Sequence, residues 1–497
     1  MNVANTLERS ALYFPDRPAV SFAGREITYS RLDEEASRVA SALLAKGLAP
    51  GDHVALCAGN CLEWTIAYFG ILKAGTVAVT LSSALPFEEL SLLVNHAKPR
   101  VAFTDRVSDF ERLKGGAPWL EHVVALSAEP GLAGFTDGAP GLVKAVDRLR
   151  GDVAAILYTG GTTGIPKGVM LTHENINLSA HNVAFSEHST ESDRALCFLP
   201  LNHVFGQMHI MNATILSAGC LELLPSFNLD EVLDILKMGR VTKLFAVPTV
   251  YTRLLTMAGL RERLGKVRYC FSAAASLPAE IIHRWKEMTG IDISEGYGMT
   301  ESASAVTYNH YYRHVAGSVG ETVPGIEVQI RDMKGAGLGT GEEGEICIKG
   351  HNIMKGYLDN PSETESAFWP DGWYRSGDVG ILDKDGYLFI VDRIKDMIIT
   401  GGENVYPREV EEVLYMRPEV REAAVIGIPD REWGERVVAF IVAKEGHSLD
   451  VPAMKSFLKS RLSPFKVPKE YIAVDELPKN AAGKILKREL KETHRKG

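Results

Sequence analysis

The chain is poor in cysteine: Cys57, Cys61, Cys197, Cys220, Cys270 and Cys347 are scattered over 497 residues, which is not a disulfide framework. Only Cys57 and Cys61 lie close together, and no second Cys or His pair follows at metal-ligand spacing. The thiols therefore read as reduced and buried. No stretch approaches the roughly 20 apolar residues of a membrane span. The longest candidate, Ile66 to Leu85, is interrupted by Lys73 and Gly75. Glu8, Arg9, Asp16 and Arg17 stand where a signal peptide would need its apolar stretch, so the chain reads as cytoplasmic. An excess of positive charge is also missing. Lys and Arg total 54 against 63 Asp and Glu, a net charge of −9, which gives no electrostatic footprint for nucleic acid. Internal repeats and low-complexity segments are absent.

What remains is ordinary globular material, 45% hydrophobic and 24% charged, and long enough for two to four domains at roughly 150 residues each. The first third alternates helix and strand patterns. Leu32, Ala36, Val39 and Leu43 share a helical face, with Ser30 and Asp33 as a capping box and Gly47 as a stop. Asp52 to Ala58 and Val77 to Leu81 read as strands around a helix from Leu62 to Ala74, a βαβα order that predicts a mainly parallel sheet covered by helices. From about Gly317 short β-rich runs follow: Glu327 to Arg331, Gly344 to Lys349 and Tyr387 to Val391. Beyond Asp396 a helix from Pro407 to Leu414 opens a second α/β stretch, and the tail from Thr493 to Gly497 is expected to fray. The parse is an α/β chain with a large domain, residues 1–394, containing a β-rich part at about 317–391, and a smaller domain, residues 395–497.

The loudest feature is Tyr158-Thr-Gly-Gly-Thr-Thr-Gly-Ile-Pro-Lys-Gly168 after the apolar run Val153 to Leu157. Its glycines let the backbone wrap oxygen atoms, its threonines supply hydroxyl donors and Lys167 adds a point charge, a composition suited to phosphate. No Gly-Lys-Ser/Thr follows at the offset of a Walker A loop. Five further motifs are Glu295-Gly-Tyr-Gly-Met-Thr-Glu301, Tyr374-Arg-Ser-Gly-Asp378, Asp392-Arg-Ile-Lys-Asp396, Gly401-Gly-Glu-Asn-Val-Tyr-Pro407 and Pro478-Lys-Asn-Ala-Ala-Gly-Lys484.

In content and order the six motifs resemble those of the adenylate-forming superfamily of acyl-CoA synthetases, peptide-synthetase adenylation domains and luciferases, over essentially the whole chain. The resemblance implies a large N-terminal domain of two helix-covered sheets plus a small β-barrel-like part, and a mobile C-terminal α+β domain. It implies ATP-dependent conversion of a carboxylic acid to an acyl-adenylate with release of pyrophosphate, then transfer to CoA, with Mg²⁺ bridging the phosphates. By resemblance Thr159, Gly160, Gly161, Thr162, Thr163, Gly164 and Lys167 hold the β- and γ-phosphates. Ala274, Ala275, Glu295, Gly296, Tyr297 and Gly298 also bind ATP, Tyr297 with a stacking face for adenine. Asp378 and Arg393 take the ribose, and Thr300 the α-phosphate. Glu301, with Thr163, serves Mg²⁺. Lys484 steadies the carboxylate and α-phosphate, and Lys395 is the hinge. Gly401, Gly402 and Glu403 line the pantetheine path, and Lys466 meets CoA phosphates.

Asn202-His203-Val-Phe-Gly206 matches the family's gate, with His203 beside the reacting carboxylate. Val204, Phe205, Val247, Ser272, Ala273 and Ser302 are expected to line the acyl pocket. No Asp follows His203 to pair an α-ammonium, which disfavours amino acids. Small side chains in the pocket point to a fatty or aryl acid in place of acetate. The absence of an insertion between Asp378 and Asp396 favours CoA as acceptor. A carrier protein remains the alternative acceptor, a luciferase-like oxygenase a distant one, and a homodimer stays open.

Overall fold

Val77–Leu81 is built only from Val, Ala, Thr and Leu, and all five residues are buried, as a strand covered on both faces requires. In the computed structural model, which describes residues 1–127, 130–159, 166–275, 277–310, 312–479 and 485–496, this strand sits at the centre of a seven-stranded sheet. Its parallel part runs Val153–Thr159, Val77–Leu81, His53–Cys57, Val101–Thr104 and His122–Ala125. Lys167–Thr172 adds antiparallel to Val153–Thr159, and Gly356–Tyr357 adds antiparallel to it.

A nine-stranded sheet lies alongside. Its parallel centre comprises Ile293–Tyr297, Tyr269–Ser272, Lys243–Ala246, Arg194–Cys197, Cys220–Leu223 and Pro18–Phe22. Between the sheets runs the helix Leu62–Lys73, whose residues are all buried except Glu63. A helix apolar on every side belongs inside a molecule. Its Gly70 permits the crossing with helix Tyr29–Ala45, because a Cβ there would stand 2.5 Å from the Val39 Cβ. The helix ends on Lys73, only 1% exposed, whose ammonium meets Asp33 at 2.5 Å and Glu8 at 3.2 Å.

The β-rich part is a four-stranded antiparallel sheet, Ile326–Arg331, Glu343–Gly350, Tyr374–Leu382 and Leu388–Arg393. The C-terminal domain carries its own sheet around the long pair Val420–Asp430 and Gly434–Ala443, with helix Pro407–Tyr415 packed against it. Among the described residues no helix is long and apolar enough to cross a membrane.

Three local expectations are corrected. The helix after residue 28 starts at Tyr29, and its cap is Thr28, whose Oγ1 accepts from the Arg31 N–H at 3.3 Å. Ser30 and Asp33 form no box, because Asp33 is committed to Lys73. The C-terminal helix Lys487–Lys496 continues through most of the tail expected to fray. Cys61 is half-buried where full burial was expected, and all six thiols are free.

Substituting Lys73 by Met strands two carboxylates below the protein surface. The expected loss is about 3 kcal/mol of stability, read as a fall in melting temperature, and it should shrink when Asp33→Leu is added. Equal melting temperatures for wild type and Lys73→Met would show that the triad contributes nothing.

Candidate active site

The phosphate-suited loop joins two antiparallel strands, which place Thr159 opposite Lys167. Gly160, Gly161, Thr162, Thr163 and Gly164 lie outside the described residues, as does Lys484. Lys167 heads its strand with its ammonium paired to Glu363 and 4.9 Å from the centre of the Tyr357 ring.

The second motif runs off the end of strand Ile293–Tyr297 into a short turn, Thr300–Ser302. Gly298 is required there: a Cβ would fall 1.2 Å from the Ser304 carbonyl oxygen. Tyr297 Oη donates to Asp378 Oδ2 at 2.6 Å, while the Arg393 guanidinium stands 3.3 Å from Oδ1. Asp378 and Arg393 are direct cross-strand partners in the four-stranded sheet. The structure thus brings together the three residues expected for adenine and ribose, although they come from two different sheets.

Glu295 is only 5% exposed, and its Oε2 has no hydrogen-bond partner among the described residues. Burial pushes its carboxyl up to about 8, partly opposed by the Arg408 guanidinium of the C-terminal domain. Burial also raises the Glu301 carboxyl, against the pull of its own backbone N–H, the Tyr357 hydroxyl and Lys167. Tyr357 Oη reaches Glu301 Oε1 at 3.1 Å. Thr300 is 9% exposed, one residue before.

The turn that follows is strained and tightly held. Ala303 and Ser304 both have positive φ, 51° and 101°, outside the comfortable range of residues with a Cβ. Asn352 Nδ2 donates to the Ser302 and Ala305 carbonyls at 3.1 and 2.8 Å, and Ser179 Oγ donates to the Ala303 carbonyl. Ser304 Oγ lies 3.2 Å from His209 Nδ1. Behind it His209 Nε2 meets Glu187 at 3.0 Å and Tyr308 Oη at 2.7 Å. Burial raises the Glu187 carboxyl, but Lys243 at 3.0 Å and His209 outweigh it and hold the group below its ordinary value. These residues were not identified from the sequence. They are spread from 179 to 352, and no short motif joins them.

His203 precedes a π-helical stretch, Phe205–Asn212, in which all eight residues are buried. Such wide turns are frequent at functional sites. The Phe205 ring lies 5.9 Å from Phe271, and Val204 is buried nearby in the chain. Ser272 and Ser302 are buried at 2% and 0%, and Ala273 packs against the core. Ala274 takes a positive φ of 69° and is exposed with Ala275. A cavity of about 350 Å³ opens at the carboxyl ends of parallel strands from both large sheets, where α/β folds place ligands. Val247 lines it, as do Asn60, Ser82, Phe198, Phe227, Arg253 and Lys479. Ser272, Ala273 and Ser302 do not. Most lining segments follow strand ends, but Val250 and Arg253 lie in helix Pro248–Leu254 and Lys479 comes from the C-terminal domain.

In the C-terminal domain, exposed Lys395 sits in the short turn Ile394–Asp396 after the four-stranded sheet. Gly401 and Gly402, at φ 61° and 86°, form the two-residue turn of a hairpin that pairs Thr400 with Glu403. A turn of this hand needs positive φ at both positions, which by itself accounts for both glycines. Trp433 stands against Gly401, and Lys469 lies 5.3 Å from its ring centre. Lys466 is paired with both Glu409 oxygens at 2.8 and 2.6 Å. Arg408 crosses back, its N–H donating to Asp392 Oδ2 at 2.8 Å.

Residues 7–358 match the family model described as AMP-binding enzyme, and residues 409–484 match the AMP-binding enzyme C-terminal domain. The chain is 37% identical to a feruloyl-CoA synthase of an Amycolatopsis species, over 97% of each. It is 35% identical to a long-chain-fatty-acid–CoA ligase of Bacillus subtilis, over 98% of this chain and 93% of that protein. ATP-bound MatB from Rhodopseudomonas palustris superposes with a TM-score of 0.94 at 35% identity, covering 100% of this chain and 99% of that one. The apo form of the same protein gives 0.83 with the same coverage. With its motifs standing in the family's order on the family's fold, the chain belongs to the AMP-binding enzymes, the adenylate-forming superfamily.

Proposed function

We propose that the protein is an AMP-forming acid–thiol ligase that activates a fatty or aryl acid as its acyl-adenylate and passes the acyl group to CoA. The observation that carries this reading is the triad Tyr297–Asp378–Arg393, placed next in space and sequence to Thr300 and Glu301. A carboxylate is a poor electrophile for a thiol. In the first step its oxygen attacks the α-phosphorus of ATP and the bond to pyrophosphate breaks. In the second a thiolate attacks the carbonyl carbon and AMP leaves.

The site meets the demands of the first step by positioning and charge. Each Asp378 oxygen already accepts one bond but retains a second acceptor site, so both ribose hydroxyls can be held without displacing Tyr297 or Arg393. Glu295, neutral at pH 7 because of its burial, can donate and accept along the adenine edge. Thr300 offers its hydroxyl to the α-phosphate, Lys167 and the loop from Thr159 take the outer phosphates, and Lys484 bridges the two reacting groups. His203 flanks the carboxylate at the mouth of the buried π-helical stretch. Glu301 fits Mg²⁺: it is a hard oxygen donor whose buried carboxyl lacks sufficient positive neighbours. Bound there with Thr163, the ion would neutralise charge on the phosphates.

For the second step the cavity of about 350 Å³ gives a thiol a way in between the two sheets, with Arg253 and Lys479 as cations for the phosphates of CoA. The C-terminal domain, from residue 395, turns about Lys395 to bring Gly401, Gly402, Glu403 and Lys466 to that opening. Lys466 must then leave Glu409 and Lys479 must leave Glu422, whereas Lys469 lies beside Trp433 with no carboxylate paired to it among the described residues. The feruloyl and long-chain acids of the relatives' names support an aryl or fatty substrate. The free cysteines suit a reducing, cytoplasmic setting.

Mass-spectrometric analysis with ATP, Mg²⁺ and a panel of fatty and aryl acids, with and without CoA, tests the whole reading. Acyl-CoA should appear only with CoA. An accumulating adenylate with no thioester would transfer the role of acceptor to a carrier protein. Lys484→Ala should lose adenylation, and near-normal pyrophosphate release by that variant would remove Lys484 from the mechanism.

Glu295 also makes a stability prediction. Its folded pKa of about 8 lies above the ordinary carboxyl value, so the folded state binds the extra proton. Its contribution is complete at low pH and is lost as pH rises toward and through 8. Melting temperature should therefore fall more steeply from pH 6 to pH 8 in wild type than in Glu295→Gln. Parallel curves would mean that Glu295 is ionised in the fold.

A further inference from the structure

Two groups of the proposed nucleotide site, Lys167 and Glu301, are tied to one short segment that no motif singled out. Met354 N donates to the Glu301 carbonyl at 2.8 Å, and Tyr357 Oη donates to its carboxylate. Gly356 and Tyr357 pair with Met170 and Val169 on the strand that begins at Lys167, and Leu358 N donates to the Gly168 carbonyl at 2.8 Å. Asn360 caps the helix Pro361–Ser366 through the Glu363 N–H, which fixes where the Glu363 side chain begins. From there the Glu363 carboxylate pairs with the Lys167 ammonium, which also faces the Tyr357 ring.

We propose that Glu363 is a positioning residue of the nucleotide site: its carboxylate occupies the Lys167 ammonium in the place of a phosphate oxygen, and the triphosphate of ATP must displace it. The inference rests on the reading of Lys167 as a phosphate ligand. A lysine ammonium is a compact charge with three donors on a flexible stem, and it exchanges one oxyanion for another without rearranging the backbone. The Tyr357 ring keeps the ammonium directed at the site while its partner changes. While it is paired, Glu363 opposes ATP by competing for the Lys167 ammonium. Glu363 is 36% exposed and Lys167 18%, so neither side chain is needed for the core.

The test is calorimetric binding of ATP at low ionic strength to wild type, Glu363→Gln, Lys167→Ala and the double variant. Glu363→Gln should bind ATP about three-fold more tightly, the scale of a partly exposed ion pair. Removal of Lys167 should weaken binding and abolish the effect of the second substitution, a coupling that a merely structural Glu363 would not give. Unchanged or weaker binding by Glu363→Gln overturns the placeholder. So does a gain that persists without Lys167, since the carboxylate would then act only by repulsion. Unchanged affinity in Lys167→Ala alone would instead remove Lys167 from the phosphate site, and the inference with it.

Discussion

The Asp378 carboxylate is the point on which the arrangement of the site depends. One oxygen binds Tyr297 at the rim of the nine-stranded sheet, and the other faces Arg393, the last residue of the four-stranded sheet. The chain then enters the turn that leads to the C-terminal domain. A single buried anion thereby fixes the Tyr297 ring, the Arg393 guanidinium and the direction in which the chain enters the C-terminal domain. Two of these partners are themselves held. Tyr297 leaves a strand whose next glycine packs on the Ser304 backbone, and Arg393 is set by ladder pairing with Asp378 itself.

The turn after Glu301 shows how such placement is maintained against local preference. Positive φ at Ala303 and Ser304 is unfavourable for each residue and persists only where the surroundings over-determine it. Here Ser179, Asn352 and His209 bond to the turn from three elements, and the ionised Glu187 anchors His209 in turn. Breaking a buried network of this kind leaves unpaired polar groups in a low dielectric, which makes it stiff. Thr300 and Glu301 stand immediately before this turn, so the same bonds limit where they can sit.

Much of this was legible in the sequence and some was not, for identifiable reasons. Runs such as Val77 to Leu81 and the face Leu32, Ala36, Val39 and Leu43 were legible because burial is written in local periodicity. Tyr297, Asp378 and Arg393 were legible because each stands in a short motif, although their mutual contact was not implied by any motif. The cap at Thr28 was missed because the strand before it runs straight into the helix, and Asp33, which looked like the partner of Ser30, serves Lys73 across the core. Glu187, His209, Lys243 and Tyr308 were illegible because a buried charge network is defined by distance in space alone. The cavity wall was only partly found, since Asn60 and Phe227 come from loops after parallel strands, Arg253 from helix Pro248–Leu254, and no short motif joins them.

Polar contacts hold the C-terminal domain to the large one. The contacts back to the large domain are few and polar: Arg408 donates to Asp392 and to the Ile390 carbonyl, and its charge reaches Glu295. Apolar packing is kept within the domain, where the cluster around Val425, Val437 and Ile441 closes on itself. Burying apolar surface between the domains would favour one orientation strongly, whereas a backbone N–H on the Asp392 carboxylate and a guanidinium on the Ile390 carbonyl are contacts that water can replace. Arg408 therefore ties the placement of the C-terminal domain to the charge environment of the buried Glu295, through contacts that burial of apolar surface could not have supplied.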